Sequence, residues 1–155
     1  MQTTRVSRTI HAPRSAVYAA LVDPHAIARW RVPDDMECQV LSFDAREGGE
    51  FRISLTYDDP QRAGKSSGHT DIYFGRFVRL VPNEQVVETM QFETDDPALQ
   101  EPMRLTTTLS DAADGTEVVM FHEGIPDEVS ATDNELGTQM ALAGLARLVE
   151  QDPDA

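Results

Sequence analysis

Two side chains carry the first suggestion of chemistry. Glu88 interrupts an apolar series, since Val86, Met90 and Phe92 fall on the same face of an alternating segment. Turned inward, Glu88 is a buried carboxylate with a raised pKa and a candidate catalytic group. Turned outward by one residue of slip, it is merely solvated, and that is the favoured reading because a single-residue shift reverses the face. His122 stands in Phe121-His122-Glu123-Gly124-Ile125-Pro126, where a strand runs into a short charged turn before the last helix. It is either an acid or base at the rim of an interior space or a prop that hydrogen-bonds the turn, and its place at the junction favours the prop. His69 and Asp71 alternate with Tyr73 and would form a polar wall, although an exposed strand end explains them as well.

Other chemistries lack their residues. The histidines His11, His25, His69 and His122 have no metal-ligand spacing and no cysteine pair beside them, so no metal is expected. Phosphate-cradling glycines and a nucleophile elbow are missing, and no cofactor is expected. Cys38 lies on a strand beside Val40 and reads as a packed thiol. Being the single cysteine, it argues with the absent signal core for a cytoplasmic setting. Lys and Arg number 13 against 27 Asp and Glu, a formal charge of -14. That field repels phosphate backbones and anionic lipid, which argues against nucleic acid and membrane partners.

The elements that must position these groups follow from pattern. Arg5 to His11 alternates as a strand, and Pro13 sits in the first turn of a helix bearing Val17, Ala20 and Leu21. Asp23 caps a second short helix that starts at Pro24 and ends near Trp30. Strands are expected over Glu37–Asp44, Glu50–Asp58, Gly68–Leu80, Gln85–Glu93, Met103–Ser110 and Thr116–Glu123, joined by tight turns into an antiparallel sheet. The last helix begins near Thr132, which has capping-box spacing to Glu135. Leu136, Met140, Leu142, Leu145, Leu148 and Val149 spread over roughly two thirds of its circumference at about 100° per residue. Such an arc suits a helix held in a curled sheet better than one resting on a flat sheet. Within the arc, Gly137, Ala141 and Gly144 either pack closely or leave space, and close packing is favoured.

The fold class is therefore α+β: a helix-grip domain filling 1–155, with a curved antiparallel sheet of about seven strands around a long C-terminal helix and two short helices after the first strand. The order and spacing of several pieces then resemble the START-like, or birch-pollen-allergen, superfamily, and within it the bacterial homologues of the activator of the ninety-kilodalton heat-shock chaperone ATPase. Those pieces are Ile10-His11-Ala12-Pro13, Asp23-Pro24 leading to Trp30, Phe43-Asp44-Ala45-Arg46-Glu47-Gly48-Gly49-Glu50-Phe51, Gly75-Arg76-Phe77, and Gly115-Thr116 through His122-Glu123-Gly124 to Leu136-Gly137. The resemblance implies a pocket and a stress-response setting, not a reaction. Relatives often carry Trp where this chain has Thr138 and Met90, and an apolar residue in place of Glu88, so the cavity is expected to be larger or more polar.

The first expectation is a small apolar or amphipathic ligand between sheet and last helix, lined by Trp30, Phe51, Ile53, Tyr73, Phe77, Glu88, Met90, Met103, Met140 and Gly144. The alternatives are a protein-interaction module that meets a chaperone, or a cyclase or dehydratase using the same cavity. A cavity bordered by titratable groups would favour the enzyme, and a filled core with a bare acidic face the interaction module.

Overall fold

The computed structural model describes residues 2–31, 36–59, 61 and 70–150. Its element order is β1 (Gln2–Ile10), α1 (Arg14–Leu21), α2 (Pro24–Trp30), β2 (Met36–Phe43), β3 (Glu50–Tyr57), β4 (Thr70–Val81), β5 (Gln85–Phe92), a 3₁₀ turn at Pro97–Leu99, β6 (Met103–Ala112), β7 (Gly115–Ile125) and α3 (Ala131–Glu150). The strands form one seven-stranded sheet in the order β1-β7-β6-β5-β4-β3-β2, antiparallel throughout. Helix-grip architecture is thus what the chain adopts.

Alternation decides which face is covered. Val6 and Ile10 of β1, Leu105 and Leu109 of β6, and Val118 and Met120 of β7 are buried on the inner face, which joins α1, α2 and α3 in one hydrophobic core. Bulges interrupt β2, β4 and β7 and bend the sheet around that core. No helix among the described residues is long and apolar enough to cross a membrane.

Local chemistry explains most ends. Asp23 accepts a hydrogen bond from the His25 amide at 2.9 Å, and Pro24 opens α2. Pro13 is not in the first turn of α1 but at its N-cap, extended at φ -70° and ψ 155°. Its carbonyl starts the helix by accepting from the amides of Ala16 and Val17. The expected cap at Thr132 is corrected to Ser130, whose hydroxyl accepts from the Asp133 amide at 3.3 Å. The charged turn expected at Glu123-Gly124 is also corrected. β7 runs on through Ile125, with Gly124 at φ +71° taking a conformation that a side chain would strain.

α3 splits its small residues between two jobs. A Cβ at Gly144 would stand 2.9 Å from the Trp30 carbonyl oxygen, so this glycine lets α3 approach α2. A Cβ at Gly137 would meet nothing within 4 Å. The wide apolar arc is not wholly buried either: Leu142 and Leu145 are in the core, whereas Leu136 is 50% exposed.

Candidate functional site

Open space lies between the sheet and the first half of α3, a cavity of about 930 Å³. Register sets the row of residues that underlies it. Glu88 pairs with Leu105, Leu105 with His122, and His122 with Thr4, so these residues form one row across the inner face. Glu88 and His122 stand two strands apart, about 10 Å along the row. Next to this row, Met90 pairs with Met103.

Glu88 is buried, at 4% exposure, which corrects the solvated reading. Its partner is Arg31, the first residue after α2, which donates from Nη1 to Glu88 Oε1 at 2.8 Å. Both side chains are withdrawn from water, at 13% and 5% exposure. The Arg31 guanidinium also lies over the Tyr73 ring, 5.6 Å from its centroid, and Nη2 stands 3.9 Å from Met90 Sδ. Burial alone would lower the Arg31 pKa, but Glu88 beside it outweighs that and holds the guanidinium protonated above its usual value. Removal of either partner would strand a buried charge.

His122 sits on the floor of the cavity, nine-tenths buried, and its Nδ1 has no hydrogen-bond partner among the described residues. Burial, and next the nearby Arg31 charge, lower its pKa to about 4. The imidazole is therefore neutral near neutral pH. It does not prop the turn before α3, as expected of it. Gln2 does that, donating from Nε2 to the carbonyls of Pro126 and Val129 at 3.1 and 2.6 Å. Burial raises the Tyr73 pKa, against the opposing pull of Arg31, so the phenol keeps its proton. Asp71 is buried, not at an exposed strand end, and Tyr57 Oη is 3.5 Å from its Oδ2. His69 lies outside the described residues. Burial pushes the Cys38 thiol up to about 11, with Arg31 pulling the other way, which leaves it a poor nucleophile.

The sequence-derived lining divides. Trp30, Tyr73, Met90, Met103, Met140 and His122 border the cavity. Trp30 is also structural, because its Nε1 donates to the Ala20 carbonyl at 2.8 Å. Phe51, Ile53, Phe77, Glu88 and Gly144 do not border it. Phe51 and Phe77 pack on each other with centroids 5.3 Å apart, Ile53 is fully buried, Glu88 stands behind Arg31, and Gly144 is closed by Trp30. Arg31 was missed, although a lone acid on an apolar face calls for a buried base. Thr138 borders the cavity and spends its hydroxyl on the Asn134 carbonyl at 2.8 Å. The rim carries Asp96, Glu128 and Asp133, all exposed. Among the described residues no group of three His, Cys, Asp or Glu side chains could hold a metal ion.

Comparison with known proteins adds three findings. A family model described as "Activator of Hsp90 ATPase homolog 1-like protein" matches residues 11–150. A solved protein of Chromobacterium violaceum is 37% identical, with TM-score 0.86, over 97% of this chain and 98% of that one. An NMR structure of an AHSA1-like protein from Aeromonas hydrophila is 19% identical, with TM-score 0.74, over 96% of this chain and 92% of that one, and shares the fold. No curated protein matches the chain significantly.

Proposed function

The chain belongs to the Activator of Hsp90 ATPase homolog 1-like family, and from that premise we propose that it binds a small apolar or amphipathic molecule in the cavity between the sheet and α3. The observation that carries this reading is the cavity itself. At about 930 Å³ it has the size of a small-molecule site, where such sites run from roughly 300 to 1,000 Å³. Apolar walls from Met36, Leu55, Phe92, Leu105 and Met120 surround a few polar groups, the composition that orients a ligand while burying most of its surface.

Two other readings weigh less. A family name that refers to a chaperone activator suggests a protein partner, but an interaction module has no use for an open interior. Titratable groups do border the cavity, as the cyclase or dehydratase reading requires. Their tuning argues against it, because an acid–base group works best with a pKa near the operating pH. His122 near 4 is a weak base, and Tyr73 holds its proton too firmly.

Gly137 supplies the test. It borders the cavity, and a Cβ there meets nothing within 4 Å. Leucine at this position has room for its Cβ, extends into the cavity and gains up to about 1 kcal/mol of helix propensity. A fluorescent apolar probe should bind the wild type saturably and Gly137→Leu at least about tenfold more weakly, while the variant melts no lower. Native mass spectrometry of the wild type would show any retained molecule. A wild-type protein that takes up neither probe nor ligand would end this reading.

A further inference from the structure

The polar end of the cavity has a definite hydrogen-bonding capacity. Tyr73 Oη makes no hydrogen bond among the described residues. Arg31 spends one N–H on Glu88 and points another at a sulfur, a weak acceptor, out of the five that a guanidinium carries. His122 has a bare Nδ1 and no charge near neutral pH. These three residues face the same space, and the protein itself leaves part of their capacity unused.

The charge at this end is already balanced. Arg31 is neutralised by Glu88, itself 5% exposed, so an incoming carboxylate would find no free cation and would sit near a buried anion. An unpaired charge in such a place is strongly disfavoured. The exposed carboxylates of Asp96, Glu128 and Asp133 at the rim add repulsion for an anion. An ammonium group fares no better inside, where Glu88 is taken and the guanidinium repels it. Asp71 borders the cavity but is already engaged, with Tyr57 beside it. An uncharged oxygen meets none of these penalties. A hydroxyl or carbonyl can accept from the Tyr73 phenol or the Arg31 fork at the point where the apolar walls end.

We propose that the ligand is an uncharged amphiphile, an apolar skeleton bearing one hydroxyl or carbonyl oxygen, and that Tyr73 and Arg31 receive this oxygen beside His122 at the floor of the cavity. The inference rests on the small-molecule reading above and adds the chemistry of the ligand's polar end. It also assigns Tyr73 a role in specificity, because deletion of its hydroxyl removes a donor without changing the apolar walls.

The test is competition against a bound fluorescent apolar probe at neutral pH with decanol, decanoate and decylamine, which share one chain and differ in head-group charge. Decanol should displace the probe at a concentration at least about tenfold below that needed for decanoate, and below that for decylamine. Tyr73→Phe should weaken decanol by about fivefold relative to the probe, the worth of one neutral hydrogen bond. The proposal is overturned, with the cavity reading intact, if decanoate equals decanol, if decylamine is tightest, or if Tyr73→Phe leaves decanol where it was. A wild-type protein that does not take up the probe at all overturns both.

Discussion

Burial fixes the protonation of His122, and protonation links it to stability. The folded pKa is near 4, while the unfolded value is about 6.5. Between those values the unfolded chain binds more protons than the folded one, so stability rises with pH across that window. Read downward, His122 costs nothing above pH 6.5, and its stabilising neutrality is lost as pH falls toward 4, to a total of about 3 kcal/mol. Urea unfolding at roughly pH 7 and pH 5 should therefore show a steeper loss for the wild type than for His122→Phe, because carboxylates contribute alike to both. Parallel losses would place His122 in water. The same residue shows where sequence reasoning stopped. Its position before Glu123-Gly124 suggested a prop for the turn, yet side-chain direction depends on the register of three strands, which brings it into line with Glu88 and Leu105. Arg31 was hidden for a similar reason: its partner is 57 residues away, and nothing local marks the pair.

Helices and strands were more legible than the side chains between them. The cap at Asp23 and the strand that opens at Glu50 depend on near neighbours, and they appear at the expected places. Glycine in α3 was harder to read, because one pattern of small residues serves two surroundings. Gly144 lies under the Trp30 backbone and Gly137 faces open space. Alanine at the two sites should separate them. Gly137→Ala should stabilise by about 0.5–1 kcal/mol through helix propensity. Gly144→Ala gains the same propensity but must push α2 aside, at about 1–3 kcal/mol, so its net effect should be zero or a loss. Equilibrium unfolding of both variants in urea measures the difference, and equal gains at the two sites would mean that α3 and α2 are not in contact at Gly144.

Across the whole molecule, charge acts in two regimes. The formal charge of -14 sits on the surface for the most part, where salt of about 0.1 M screens repulsion beyond about 10 Å. The Arg31–Glu88 pair is largely withdrawn from solvent and is screened far less. Raising sodium chloride from about 0.02 to 0.2 M should therefore raise the melting temperature by a few degrees as self-repulsion fades. A fall in melting temperature over that range would mean that surface ion pairs such as Arg52–Glu93 outweigh the net charge.

One feature of the sheet also orders events in time. Of the strands described, β1 leaves a ribosome before the others and its partner β7 after them, with Gln2 opposite Ile125. A nascent chain short of β7 has no neighbour for β1 and cannot complete the sheet. α3 then bridges back to the start, where the Glu150 carboxylate accepts from the His11 amide at 2.8 Å. β1 therefore stays unpaired until β7 has been made, and the grip of the sheet on α3 closes last.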